Sequence, residues 1–308
     1  MLSAAHAALV ELGMLSSSDP LPPFWARMSG NLVLMTYPED PKFYLVKIGI
    51  RTRLDREYRG LSIAHAAMPR HVPEPLGLAT YDSFQVLVAR GIAHRQFVMD
   101  GETLGVFERG MDAFVATSLA RFQAAPADST VNVQDAVFEA SGIFDWPGWR
   151  RYWDDAQRLI ATLPRILQHG DLAVNNMGVA DDELVFFDWE DFGQVDLMGF
   201  DLAVALLSIN SFDLAQLHAR LKEDSLEAGL VKRCCGRLDK SPDEFFMLLP
   251  AYLSLFIKVK SAGGYDQAVS ARAVAERSAE ARAKDNEKNA TKRGCMGNAM
   301  YEYEAGWR

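Results

Sequence analysis

Three oxygen-bearing side chains stand out by type and spacing. The run Gln168-His169-Gly170-Asp171-Leu172-Ala173-Val174-Asn175-Asn176-Met177 is followed by Leu184-Val185-Phe186-Phe187-Asp188-Trp189-Glu190. Asp171 and Asn176 lie five apart in a segment with neither helical nor strand periodicity, so a loop can turn both toward one point. The short apolar pieces 177–179 and 184–187, joined by Asp181-Asp182-Glu183, predict a hairpin that returns Asp188 beside that loop. Two carboxylates and an amide oxygen then converge. Hard oxygen donors of this kind suit Mg²⁺, which keeps waters and binds substrate phosphates. Phosphoryl transfer uses the same equipment: ligands that fix the ion against phosphate oxygens, and a separate carboxylate that orients a hydroxyl and takes its proton.

Other elements must hold that loop in place. The segments 31–37 and 43–50 read as strands separated by the turn-like Pro38-Glu39-Asp40-Pro41. Residues 53–67 read as a helix, with Leu54, Glu57, Tyr58, Leu61 and His65 on one face, ended by Pro69, Pro73 and Pro75. Residues 84–92 read as a further strand. From about 101 the pattern turns mostly helical, with candidates at 103–124, 149–163, 198–208, 212–222, 242–260 and 265–290. Residues 126–148 read as a loop-rich connection. The first fifteen residues read as a short amphipathic helix without the basic start of a secretory leader.

His169-Gly170-Asp171, then Asn176, then Asp188-Trp189-Glu190 resembles the signature of the aminoglycoside phosphotransferase and choline kinase superfamily. The resemblance implies an α+β, protein-kinase-like bilobal fold, with a small β-rich N-lobe over 1–92 and a larger helical C-lobe over 93–308. It implies ATP as co-substrate, Mg²⁺ as cofactor, Asp171 as catalytic base, and Asn176 and Asp188 as metal ligands. Gly199-Phe200-Asp201-Leu202-Ala203 is similar to the family's following Asp-Leu-Ala element, where Asp201 would brace the loop. His169 would be structural. In the N-lobe, Lys47 would reach the α- and β-phosphates and pair with Glu57 ten residues on. Ser29 and Gly30 stand where a phosphate-covering loop belongs, and Arg90 and Ile92 where a hinge would meet the adenine. The likeness runs over about 25–260 and is tight only in 168–203. It departs at Ala173, where the family often has His or Gly, and at Val174-Asn175, which replaces a Pro-Gly pair. There is no His-Arg-Asp and no Ala-Pro-Glu, which disfavours a protein kinase. The alternative from another class is a weak or inactive kinase-like module that binds nucleotide and acts by interaction.

Composition narrows the partners. The net charge is −9 over 308 residues, which argues against nucleic acid or an anionic membrane. Residues 1–100 carry a net +1 and residues 101–308 a net −10, so the acidity lies in the half expected to hold the acceptor. A small-molecule hydroxyl acceptor is expected, either one with positive charge, such as an aminoglycoside or another amine-bearing antibiotic or an amino alcohol, with Asp154, Asp155, Glu190, Asp191 and Asp213 as candidate walls, or a neutral sugar or alcohol, with these acids serving as solvated helix faces. Cys234, Cys235 and Cys295 have no metal-binding or disulfide spacing, which suggests free thiols in a reducing, cytoplasmic setting. The longest apolar stretch, 245–257, has thirteen residues and contains Pro250, too short for a span of about twenty.

Overall fold

The computed structural model describes residues 1–29, 31–36, 44–49, 54–81, 84–123 and 149–262. The expected helix at 265–290, the connection 126–148, Gly30 and Cys295 lie outside them.

The first part of the chain builds one antiparallel sheet. Its strands are β1 (Phe24–Ser29), β2 (Asn31–Thr36), β3 (Tyr44–Gly49), β4 (Pro75–Tyr81) and β5 (Phe84–Arg90), in the order β1-β2-β3-β5-β4. Strand periodicity decides what each face carries. Tyr44, Val46 and Ile48 of β3 and Val86 and Val88 of β5 point one way, into a small apolar cluster closed by helix α1 (Leu2–Glu11) through Ala4, Ala5, Ala8 and Leu9. Lys47 and its register partner Leu87 point the other way, toward helix α2 (Leu54–Ala67). That alternation alone aims Lys47 at the helix that carries Glu57.

The chain then crosses to a mainly helical part. A second, three-stranded sheet joins β6 (Arg95–Gln96) to β7 (Met177–Ala180) and β8 (Glu183–Phe186), in the order β6-β7-β8. Around it pack α3 (Leu104–Arg121), α4 (Trp149–Ile160), α5 (Phe200–Ile209), α6 (Leu214–Arg220), α7 (Leu226–Arg237) and α8 (Pro242–Ala262). Their shared core is dense and aromatic. Trp189 is fully buried among Phe114, Phe122, Phe192 and His169, with ring centroids 4.5–6.5 Å apart. This core also takes in Leu54, Leu61 and Ala64 of α2, so α2 is the seam between sheet and helices.

The seam is tight. A side chain added at Gly60 of α2 would meet Phe192 Cβ at 2.8 Å and the Trp189 carbonyl at 3.0 Å. Only a hydrogen at Gly60 lets the helix backbone lie against the turn that follows Asp188.

The α+β architecture expected from the sequence is the one observed. The strands at 31–37, 43–50 and 84–92, the helix at 53–67 and the hairpin at 177–187 appear within a residue or two. Sequence patterning missed β1, β4, β6 and α7. Among the described residues, no helix is long and apolar enough to cross a membrane.

Candidate active site

The loop at 168–176 is held from below. Asp201, in the first turn of α5, accepts hydrogen bonds from the backbone N–H of His169 at 2.6 Å and of Gly170 at 3.0 Å, one on each carboxylate oxygen. Its own N–H donates to Gln168 Oε1 at 3.2 Å. Burial pushes the Asp201 carboxyl up to about 7, while the two amide donors oppose the rise. Gly170 has φ +90, and a Cβ there would collide with the Asp191 carbonyl, so the position needs glycine for both conformation and space.

His169 is structural in the sense expected. It is fully buried, and its Nε2–H donates to the Phe187 carbonyl at 2.8 Å while Nδ1 accepts from the Asp171 N–H at 3.2 Å. One donor and one acceptor is the pattern of a neutral imidazole. Burial lowers its pKa to about 4, in keeping with that.

The hairpin delivers Asp188 as the spacing predicted. Asp181 and Asp182 both have positive φ, the conformation of a tight two-residue hairpin turn. The Phe187 N–H donates to the Asn176 carbonyl at 2.9 Å, fastening the exit of β8 to the loop. Asp188 follows in the left-handed region, at φ 62 and ψ 65. A non-glycine residue there costs of order 1–3 kcal/mol and is retained where the surroundings impose it.

Lys47 meets Asp188 from the sheet side. Its Nζ lies 2.8 Å from Glu57 Oε2, 2.8 Å from Asp188 Oδ1 and 3.4 Å from Glu190 Oε2. Burial by itself would lower the lysine pKa, but Asp188, Glu57 and Glu190 outweigh it and hold the ammonium well above its usual range. Burial likewise pushes Asp188 up, and Lys47 more than reverses this, keeping it ionised. Burial raises Glu57 against the pull of Lys47. The pairing of Lys47 with Glu57, a weak sequence signal taken alone, is present in the fold.

Asp171 sits deeper. Its Oδ2 accepts from Asn176 Nδ2 at 2.8 Å, and the same amide nitrogen donates to the Asp171 carbonyl at 2.8 Å. The Asn176 nitrogen is thereby spent on Asp171, and its Oδ1 accepts from Asn175 Nδ2 at 3.0 Å. Burial pushes Asp171 up to about 6 against the pull of Lys260. Lys260 lies at the end of α8, 2.7 Å from Asp171 Oδ2 and 3.0 Å from Asp191 Oδ2. Burial would lower its pKa, but Asp171 and Asp191 raise it overall. Sequence reading did not find it. The available signal was a lysine closing a long apolar helix, since such residues are rarely buried without a partner.

A divalent ion fits the oxygen donors present. Glu57, Asp188 and Glu190 place carboxylate oxygens within 4.8 Å of one another, around the Lys47 ammonium, and Asn176 carries an amide oxygen on the loop whose backbone carbonyl accepts from the Phe187 N–H. Hard oxygen donors with room for water and phosphate are what Mg²⁺ takes.

The remaining expected positions fall as follows. Ser29 and Asn31 are the last register partners of β1 and β2, on either side of Gly30. Arg90 ends β5 and pairs through its exposed side chain with Glu74 at 2.7 Å, while the Ile92 carbonyl accepts from His94 at 2.7 Å. Of the acids considered as acceptor walls, Glu190 and Asp191 are taken up by Lys47 and Lys260, Asp155 pairs with Arg158, and Asp213 caps the Gln216 N–H.

Comparison with solved structures places this architecture. A choline/ethanolamine kinase family protein from Mesorhizobium loti superposes with TM-score 0.57, at 17% identity, over 91% of this chain and 94% of that one. The fold is the one seen in solved choline kinases and aminoglycoside phosphotransferases. A choline kinase from Streptococcus pneumoniae superposes with TM-score 0.53 at 14% identity, covering 91% of this chain and 98% of its own. A thermostable mutant of an aminoglycoside phosphotransferase, in ternary complex with ADP and hygromycin B, does so with TM-score 0.52 at 13% identity, covering 90% and 98%. No protein-family model matches the chain, and no curated protein matches it in sequence. The structural neighbours are small-molecule kinases, and at these identities the likeness speaks for the fold.

Proposed function

We propose that this chain is an ATP-dependent phosphotransferase that moves the γ-phosphoryl group to a hydroxyl of a small molecule. The observation that carries the reading is the convergence of two separately held groups. Lys47 and Asp188 pair at 2.8 Å on the sheet side, and Asp171, gripped by Asn176 at 2.8 Å, stands on the helical side. In a fold whose neighbours include complexes with ADP and AMP-PNP, this supports nucleotide in the cleft between them. Residues 1–92 then form the nucleotide lobe, and residues 93–308 carry the catalytic loop and acceptor surface.

Each side chain has a task under this reading. Lys47, kept charged and aimed by Glu57, holds the α- and β-phosphates. Ser29 and Gly30 cover the phosphates, and the backbone from Arg90 to Ile92 meets the adenine edge. Asp188 and the Oδ1 of Asn176 would hold Mg²⁺, which when bound would supply neutralisation of phosphate charge. Asp171 accepts the acceptor hydroxyl. As the hydroxyl oxygen bonds to γ-phosphorus, the bond to the β,γ-bridging oxygen breaks, ADP leaves with that electron pair, and the proton passes to Asp171.

The acceptor is read as a cationic alcohol. The net −10 of residues 101–308 supports this, because negative charge near a cleft concentrates cations. Asp154, exposed on α4, is one remaining candidate contact. Choline, hygromycin B and neutral sugars therefore form the test panel.

Release of ADP from Mg·ATP is measured against that panel for the natural chain and two variants. Asp171→Asn is expected to lower kcat by about 10²–10⁴ with nucleotide KM near normal. Asp188→Asn should weaken Mg·ATP binding as well. Equal nucleotide-binding losses in both variants reject the division of roles. Binding of Mg·ATP with no acceptor-dependent turnover makes the chain a kinase-like binding module instead.

A further inference from the structure

The Asp171 carboxylate meets a cation that its own loop does not supply. Residues 168–177 contain no Lys or Arg, and Ala173, two positions after Asp171, has only a methyl group. The charge comes from the far end of the described chain, where Lys260 of α8 reaches Asp171 Oδ2 at 2.7 Å. The pair is well shielded, with side-chain exposures of 4% for Lys260 and 12% for Asp171. The same ammonium lies 3.0 Å from Asp191 Oδ2, and Asp191 itself is fixed by Gln194. Lys260 therefore joins the loop, the turn that follows Asp188, and α8 at one point.

The placement of the contacts matters. Among the described residues, Lys260 and Asn176 both address Oδ2 of Asp171. Two donors on one oxygen fix the plane of the carboxylate and leave its second oxygen, Oδ1, for a hydroxyl. A general base must be held in its productive orientation, because lost orientation is a large share of a catalytic barrier. Burying a lysine for stability alone is a poor bargain, since apolar replacements of buried ion pairs are often neutral or better.

Resting on the phosphotransferase reading above, we propose that Lys260 is a positioning residue: with Asn176 it clamps Oδ2 of Asp171 and presents Oδ1 to the acceptor hydroxyl. It is the helical side's counterpart of Lys47, one lysine serving the nucleotide and the other the base.

The test needs no identified acceptor. Mg·ATP hydrolysis with water as acceptor is followed by ADP release, and Mg·AMP-PNP binding is measured by calorimetry, for the natural chain, Lys260→Met and Lys260→Arg. Lys260→Met should lose about 10–100-fold in turnover while its Kd for Mg·AMP-PNP stays within about threefold, because only the oriented base is affected. Lys260→Arg, which keeps the charge, should recover part of the rate. A purely structural lysine would lower the melting temperature and leave turnover below that temperature unchanged, which overturns the proposal. So does a parallel loss of turnover and nucleotide binding. If Lys260→Met fails to fold, Lys260→Met combined with Asp191→Asn, which leaves one fewer unpaired carboxylate, is compared in the same way. A natural chain that binds Mg·AMP-PNP but never releases ADP overturns the phosphotransferase reading and this role with it. An active natural chain equalled by Lys260→Met overturns the role of Lys260 alone.

Discussion

The Lys47 ammonium stands 2.8 Å from both Glu57 Oε2 and Asp188 Oδ1, so a single cation ties strand β3, helix α2 and the exit of β8. Glu57 is 3% exposed and has this lysine as its counter-charge. Removing one partner of such a pair leaves a buried charge behind, at a cost of about 3–5 kcal/mol. Lys47→Met should therefore lower stability and raise the KM for Mg·ATP. Adding Glu57→Gln should restore much of the stability and none of the nucleotide affinity. Urea denaturation of the two singles and the double gives the coupling directly. Additive effects on stability would mean the pair does not act as a joint.

Activity should have an acid limb. A base must be ionised to accept a proton, and burial sets Asp171 at about 6. As pH falls through that value the carboxylate protonates, and kcat/KM should fall about tenfold per unit below it. His169, lowered to about 4, protonates only further down. Asp201, raised to about 7, titrates closer, so the profile is repeated in Asp201→Asn. A limb that stays near 6 assigns it to Asp171, and a limb that disappears assigns it to Asp201.

Asp201 should matter to melting as much as to turnover. Its two oxygens receive the buried N–H groups of His169 and Gly170 at 2.6 and 3.0 Å. Asp201→Ala leaves both donors unsatisfied, and each such group costs about 1–3 kcal/mol. A melting temperature lower by several degrees, read by calorimetry, is the expected result. An unchanged melting temperature together with lost Mg²⁺ dependence would make Asp201 a metal ligand.

The site was legible where its chemistry is local in sequence. Asp171, Asn176 and Asp188 fall within eighteen positions, and a hairpin of two short strands is enough to close the distance among them. Lys47 and Glu57 were legible through order and periodicity, since strand alternation and a helix face each predict a direction. Lys260 was not legible, because its partners lie 69 or more positions away and no local pattern announces a pairing at that range. Asp191 was read as a candidate wall for the acceptor, and its pairing with Lys260 escaped for the same reason.

The missed elements have physical causes too. Pro75 looked like a helix stop and nothing more, yet it opens β4, which lies at the sheet edge where a missing N–H costs no ladder bond. β6 is two residues long and exists by pairing with β7. α7 contains Gly229 and Gly236 and adjacent cysteines, a weak helical composition, and is held against α3 by Arg233 with Glu108 and Arg237 with Asp112, both at 2.6–2.7 Å. Tertiary partners, rather than propensity, make these segments regular.

The ion pairs of Lys260 also set an order of events during synthesis. Asp191 leaves the ribosome 69 residues ahead of Lys260, which at 5–20 residues per second is about 3–14 s. Throughout that interval the nascent chain holds Asp171 and Asp191 without their shared cation. The sheet, Lys47 and the hairpin can all be folded, yet the Asp171 carboxylate stays without Lys260 until α8 emerges and docks. Translation itself thus leaves Asp171 without its counter-charge until the chain has been read past residue 260.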